Sequence, residues 1–479
     1  MVTALGAGRQ GAWRARMRAV VLTALAVAVF AADGAGVALL RPRVVAYVLA
    51  GAGVLALAAL AMRYVAAAPA MATRAGLDRL ATWCCLAAVA MTTPEAVRLT
   101  SAVSVADAFL VLTFAALAVG YAVERKPRPM VEKAPLIAAV LFIVSGLVTA
   151  ASAGSKPDLL QLGQFVLAMV GTTLIIGWAL RDTDLAGRAA DAWAVGAAVS
   201  SLVAVADFAL HTGIGPHVSG ATFAGREAGL TLQPNDLGVT AAIVIPWVAV
   251  RLVSVGSVRA MLWWTSVMAA LTAGILVSGS RSALLAVPAG VLALLLIGRG
   301  ISGKLVPLVV GAGAIAGVAA IAARFSGSQT FVAVNRLTGT STSVAQSDST
   351  RVERYHVAIA DFLSHPIVGI GYQSIRQALD IYLQLAASGG VLALAGFALF
   401  VGWVVASDRA LVRTAPPGHL RNLGGALAGA MVVWLVYGLF QNGIYERYLY
   451  VAAGLTVAAG YNRLRPAEAA PAPAPESAS

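Results

Sequence analysis

MLWWTSVMAALTAGILVSGSRSALLAVPAGVLALLLI, residues 261–297, decides the fold class. It reads as two apolar spans, 260–278 and 282–298, with a single charged residue, Arg281, at the turn between them. About 20 helical residues at 1.5 Å each cross a hydrocarbon core of roughly 30 Å, and both runs have close to that length. An arginine facing lipid costs on the order of 2–4 kcal/mol. Arg281 therefore faces the bundle interior, a water-filled cavity or the headgroups.

The pattern repeats outward from this hairpin. Further apolar stretches occupy roughly 18–40, 44–62, 77–92, 104–123, 135–152, 159–180, 190–210, 236–250, 305–322, 378–406, 422–440 and 448–462. The composition agrees: 59% of residues are hydrophobic, only 11% are charged, and mean hydropathy is +0.84. A soluble core of this length needs far less apolar surface. The fold class is all-α, a polytopic transmembrane helical bundle of about 12 to 14 spans, the lower number applying if the first hairpin is lost.

Lys and Arg in short loops mark the cytoplasmic side. Arg9, Arg14, Arg16 and Arg18 put the N-terminus inside, and alternation then puts Arg63, Arg74 and Arg79, Arg125 to Lys133, Arg181 and Arg188, and Arg251 and Arg259 inside. Arg299 and Lys304, Arg409 to Arg421, and Arg463 and Arg465 follow them. By this assignment about 22 basic residues are inside and about 12 outside. Both termini come out cytoplasmic. Arg41 and Arg43, in a tight outer turn, are the exception. The net charge of +13 is mostly this inside excess and fits anionic lipid headgroups. No nucleic-acid motif accompanies it, so nucleic acid is not an expected partner. The first span holds Asp33 and no small-x-small cleavage site follows, unlike a signal peptide. Adjacent Cys84 and Cys85 read as small packing residues. The Pro/Ala-rich tail, 466–479, reads as disordered.

Two outer loops are long, and long loops carry function. The first, 211–235, contains GREAGLTLQPN; there Asn235 follows Pro234 and reads as the cap of the next span. The second covers 323–377. Its part from Ser326 to Thr350 is rich in Ser, Thr and Gln and reads as mobile. RVERYHVAIADFL, 351–363, has helical spacing, with Val352, Tyr355, Ile359 and Phe362 on the expected buried face, SDST as its N-cap, and HPIVGIGY ending it.

The order GREAGLTLQPNDLG, SGSRSALL, STRVERYHVAIADFLSHPIVGIGY and DIYLQLAASGGVLALAG, all on one side, resembles the O-antigen ligase and O-antigen polymerase superfamily over residues 220–405. Arg281 to Leu285 is similar to that family's Arg-x3-Leu element. Leu379-Asp380, nine residues, then Gly390-Val391-Leu392-Ala393 is similar to its second frame, with Leu379 where ligases carry histidine. The resemblance implies a glycosyltransferase that moves a saccharide from an undecaprenyl diphosphate carrier to a glycan or glycolipid acceptor. It places that chemistry at the outer leaflet of the bacterial plasma membrane. It divides the chain into N-terminal helices 1–210, a ligase-like core 211–406, C-terminal helices 407–465, and the tail.

A departing diphosphate gains negative charge, and guanidinium forks suit it. Arg281, Arg226, Arg351 and Arg354 are the outer arginines expected to converge on it. With histidine missing, Asp380 and His356 are the candidate bases; Asp380 also reads as a helix-N-terminal carboxylate. Arg354 has Asp348 or Glu353 as alternative partners, and His365 before Pro366 reads as turn structure. Gln441, Glu446 and Arg447, in the last outer turn, read as headgroup contacts, with lining of the cavity as the alternative. No Asp-x-Asp pair or His/Cys cluster occurs, so neither a metal nor another cofactor is expected. The rival class is a transporter or flippase. Transporters carry internal repeats and buried mid-membrane charges; no repeat is visible, and Asp33 and Asp207 are isolated acids.

Overall fold

The structure is a computed structural model. It describes residues 74–99, 103–124, 133–153, 156–181, 183–216, 225–297, 342–372, 378–416, 418–441 and 443–461. The expected spans 18–40, 44–62 and 305–322, and the tail, lie outside these. Contacts divide the chain into two units, one comprising Met1–Gly76 and Leu210–Ile214. Everything below concerns the other, Leu77–Ala209 with Gly215–Ser479.

The described residues are helical, with no strand beyond an isolated bridge between Arg98 and Ser104. In chain order the helices are α1 Arg74–Met91, α2 Val105–Glu124, α3 Lys133–Ala153 and α4 Lys156–Val166. One π turn, Leu167–Gly171, joins α4 to α5 Thr172–Ala179. There follow α6 Thr183–Leu210, α7 Pro234–Ser254, α8 Val258–Ser278 and α9 Arg281–Ile297. The last are α10 Thr342–Ser364, α11 Ile381–Thr414, α12 His419–Gly438 and, after a 3-10 turn at Arg447–Tyr450, α13 Val451–Tyr461. Among the described residues eight helical segments are long and apolar enough to cross a membrane. The chain is a multi-pass membrane protein.

Between apolar helices, burial drives little association, so close packing of small residues must supply it. The α7, α9 and α12 contact shows this. A Cβ added to Gly290 of α9 would stand 2.2 Å from the Val433 side chain and 2.9 Å from the Gly429 carbonyl oxygen of α12. One added to Gly429 would meet the Gly290 carbonyl at 2.8 Å and Pro246 of α7 at 3.0 Å. Cys84 and Cys85 are buried free thiols in the packing, as expected.

α11 is broken. Gly390 has φ 62° and ψ −156°, a conformation closed to residues with a Cβ. The loop after α10 seals the gap with backbone hydrogen bonds. The amides of Ile370 and Gly371 donate to the carbonyls of Ala387 and Ser388 at 2.9 and 3.0 Å. Those of Val391 and Leu392 donate to Pro366 and Ile367 at 2.8 and 3.3 Å. Irregular backbone at this depth must find such partners, since lipid offers none. Tyr372 pins the loop to α3 through Ser145 Oγ at 2.9 Å and stacks near Phe165 of α4.

The loops assigned to one side by charge do meet at one end of the bundle. The loops after α1, α8 and α12 and the 225–233 stretch before α7 join α10 there. The opposite end holds its own basic cluster: Arg251 pairs with Asp191 at 2.7 Å and lies over the rings of Trp247 and Trp264.

Several expectations need correcting. α10 begins at Thr342, so 342–350 is helical and SDST lies inside the helix, not at its cap. Its inward stripe is Arg351, Arg354, Tyr355 and Ala358, while Val352 and Ile359 are exposed. Tyr355 and Phe362 are half-buried as expected, so Val352 and Ile359 are the members of the expected face that turn away. Asp207 lies near the end of α6, where it accepts from the Gly215 amide at 2.7 Å, rather than at mid-membrane. Asn235 is not a cap; Gln233 occupies that position, with Pro234 opening α7.

Candidate functional site: an arginine cluster beside buried carboxyls

The sharp turn between α8 and α9 sets the position of Arg281. Gly279 at φ 62° ends α8, and the Ser280 hydroxyl accepts from the Ala283 amide at 3.4 Å, capping α9. Arg281 is thus the first residue of α9. Its guanidinium grips Asp348 of α10 through two bonds, at 2.5 and 3.3 Å. This pairing displaces the expected one between Asp348 and Arg354.

Arg351 stands one turn beyond Asp348, half-buried. Burial chiefly lowers its pKa, and the neighbouring Arg281 charge acts in the same direction, while Tyr355 and Asp348 oppose them. Its Nε is buried with no hydrogen-bond partner. Two guanidinium groups close enough to repel thus share one carboxylate, and a donor is left over.

Arg226 is buried in the loop before α7. Its Nε donates to the Ser278 carbonyl at the end of α8, 2.7 Å away, and its Nη2 donates to Asn235 Oδ1. It therefore fastens the 225–233 loop to the α8–α9 turn. The Ala96 amide, bonded to the Leu230 carbonyl at 2.9 Å, adds the loop after α1 to this assembly.

Three acids far apart in sequence gather at the same end of the bundle. Asp236, in the first turn of α7, accepts from the Tyr448 hydroxyl at 3.1 Å. Glu95, 4% exposed, is hydrogen-bonded to the Glu446 carboxyl. Burial, then the charges of Glu446 and Asp236, hold Glu95 well above the usual carboxylate range. Burial also raises Glu446, partly offset by Glu95, Arg447 and Arg98. Tyr437 of α12 is buried within range of both Asp236 and Glu446 and of Arg226 and Arg351. Glu446 and Arg447 are therefore not headgroup contacts. Arg447 pairs with Asp107 at 2.5 Å, and Gln441 is buried as well.

The other expected residues fall as follows. Asp380 is the N-cap of α11, accepting from the Leu383 amide at 2.8 Å; burial raises its pKa and these backbone bonds lower it. Its charge is felt by Tyr355, whose hydroxyl donates to the Leu439 carbonyl at 3.3 Å. Arg354 is partly buried on the inward stripe of α10. His356 is exposed, off that stripe, and is not brought to the cluster. His365 sits in the turn after α10, as read. Sequence reasoning missed Glu95, Asp236 and Tyr437. Collecting the acids of the loops on the arginine side would have exposed the first two.

Residues 266–398 match the family model described as O-antigen ligase. The matched segment carries Arg281, Asp348, Arg351, Asp380 and the Gly390 break, while Arg226, Glu95, Asp236 and Glu446 lie outside it. No curated protein matches the chain.

Proposed function

We propose that this membrane protein, which carries an O-antigen ligase domain, transfers a saccharide from a lipid diphosphate carrier to a hydroxyl of a glycan or glycolipid acceptor, at the end of the bundle that holds the arginines. That end faces the outer leaflet of a bacterial plasma membrane, and the carrier is of the undecaprenyl diphosphate type. The observation that carries the reading is the buried, unpartnered Nε of Arg351 beside Arg281. A diphosphate supplies the acceptor oxygens and the negative charge that this pair lacks.

Arg281 keeps donors to spare. A guanidinium has five N–H groups, and Asp348 engages two of them. Asp348 therefore holds the fork in place while its remaining edge meets a phosphate oxygen. Arg351 adds a second contact, and Arg354 adds charge along α10. Arg226 contributes its charge and holds the loop. As the anomeric C–O bond breaks, charge grows on the departing oxygen, and donors already in position stabilise it without reorganising. Asp380 orders the start of α11, and Tyr355 holds α10 to the end of α12.

Deleting the gene tests the reading. A carrier-linked glycan should accumulate in the deletion strain and disappear when the full chain is restored. Solute uptake by vesicles holding the purified protein, without such accumulation, would favour a transporter instead.

A further inference from the structure

Transfer to a hydroxyl releases a proton, and the arginine cluster cannot take it. Asp348 is committed to Arg281; three further carboxyls, Asp236, Glu446 and Glu95, gather at the same end of the bundle. They come from two loops and the first turn of α7, far apart in sequence, yet the fold brings them together. Glu95 and Asp236 are 4% and 8% exposed, and Glu446 is partly open. Two carboxyls can bond each other only if one of them carries a proton, and burial beside Asp236 favours that state for the Glu95–Glu446 pair. Glu95 Oε2 is buried with no hydrogen-bond partner.

A cation is the obvious alternative occupant. Among the described residues, no set of three His, Cys, Asp or Glu side chains is arranged to hold a metal ion. The groups facing the pair favour a proton instead. Asp236, already bonded to Tyr448, adds negative charge from α7. Arg447 and Arg98 offset it, but Arg447 is committed to Asp107, and Arg98 Nε donates to the Glu95 carbonyl at 3.3 Å.

We propose that the Glu446–Glu95 pair is the proton acceptor of the transfer, with Glu446 the member that meets the acceptor hydroxyl. This rests on the transferase reading above. The acceptor oxygen bonds the anomeric carbon as its proton passes to the Glu446 carboxylate. The bond from that carbon to the diphosphate oxygen breaks, and its electron pair leaves with the diphosphate, held by the arginines. The pair then carries two protons and returns one to water through the partly open Glu446. Burial and neighbouring carboxylates make the pair a stronger base than a free carboxylate, which brings it closer to the operating pH of a general base.

The experiment uses full-length protein in proteoliposomes fused with deletion-strain membranes, which supply both accumulated donor and acceptor. The wild-type rate should climb with pH through a carboxylate limb lying above the usual range, because only the deprotonated member accepts. Glu446→Gln and Glu95→Gln should each slow transfer on the order of 100-fold or more and flatten that limb. Glutamine can still bond its neighbour, so the thermal midpoint should hold; Glu446→Asp should regain part of the rate. Variants that transfer at the wild-type rate, or slow while keeping the limb, overturn the proposal. If the variants fail to fold, a wild-type profile with no such limb overturns it equally. Absence of transfer by the wild type would instead bring down the transferase reading beneath it.

Discussion

Arg281, the first residue of α9, is held by both carboxylate oxygens of Asp348, on a helix 67 residues further along the chain. The pair ties an amphipathic helix to the mouth of the bundle and leaves the outer edge of the guanidinium available. Asp348→Ala should therefore loosen Arg281 without removing its charge. Losing this charge-assisted contact costs about 1.5 kcal/mol, which is about tenfold in transfer rate. The double variant Arg281→Ala/Asp348→Ala should be no slower than Arg281→Ala alone, because the two act as a unit. Additive losses in the same transfer assay would show that Asp348 acts by another route.

Asp380 is expected to work as a cap. Asp380→Ala should lower stability by about 1 kcal/mol, read as a drop in thermal midpoint. Asp380→Ser restores a capping oxygen but no base, and should recover both stability and most of the transfer rate. A folded serine variant without activity would return Asp380 to the list of bases.

Gly390→Ala tests the break in α11. The added Cβ would stand 2.4 Å from the Ile367 carbonyl, at a positive φ. The expected loss is about 2–4 kcal/mol, seen as failure to accumulate or a clearly lower midpoint. An alanine variant as stable as the wild type would mean that the helix closes over the gap.

The arginine end is expected on the outer side. Glu353, exposed on α10, supplies a handle: Glu353→Cys should react with a membrane-impermeant thiol reagent in intact cells, or in spheroplasts where an outer membrane intervenes. The native Cys84 and Cys85 are buried and give a low background. Reaction only after lysis would invert the topology.

Much of this arrangement was legible in the sequence, for a physical reason. Arg281 stands alone between two apolar runs, and lipid makes such a charge conspicuous. Loop charge grouped Arg226, Arg281 and Arg351 on one side, and the fold does gather them. The face of α10 was legible only in part: Tyr355 and Phe362 are half-buried as expected, but arginines take the rest of that side. Its polar residues Arg351 and Tyr355 turn toward the protein, while Val352 and Ile359 turn away. The acid cluster stayed hidden because Glu95, Asp236 and Glu446 sit in two loops and a helix start far apart in sequence, each of which alone reads as ordinary surface charge. Gly390 sits inside the expected frame, but only the backbone shows why it must be glycine.

The central claim is that Arg281 clamps the diphosphate of a lipid-linked glycan donor, and replacement by lysine tests it most directly. Lysine keeps the charge and snorkels as well as arginine, but it is a point charge and cannot make a two-pronged contact. In the deletion strain, wild-type protein should clear the accumulated lipid-linked glycan. Arg281→Lys should insert, accumulate and clear it slowly, with a transition-state loss of roughly 2–4 kcal/mol, or about 30- to 1000-fold in rate. Wild-type clearance by the lysine variant would contradict the clamp and leave Arg281 as a headgroup anchor.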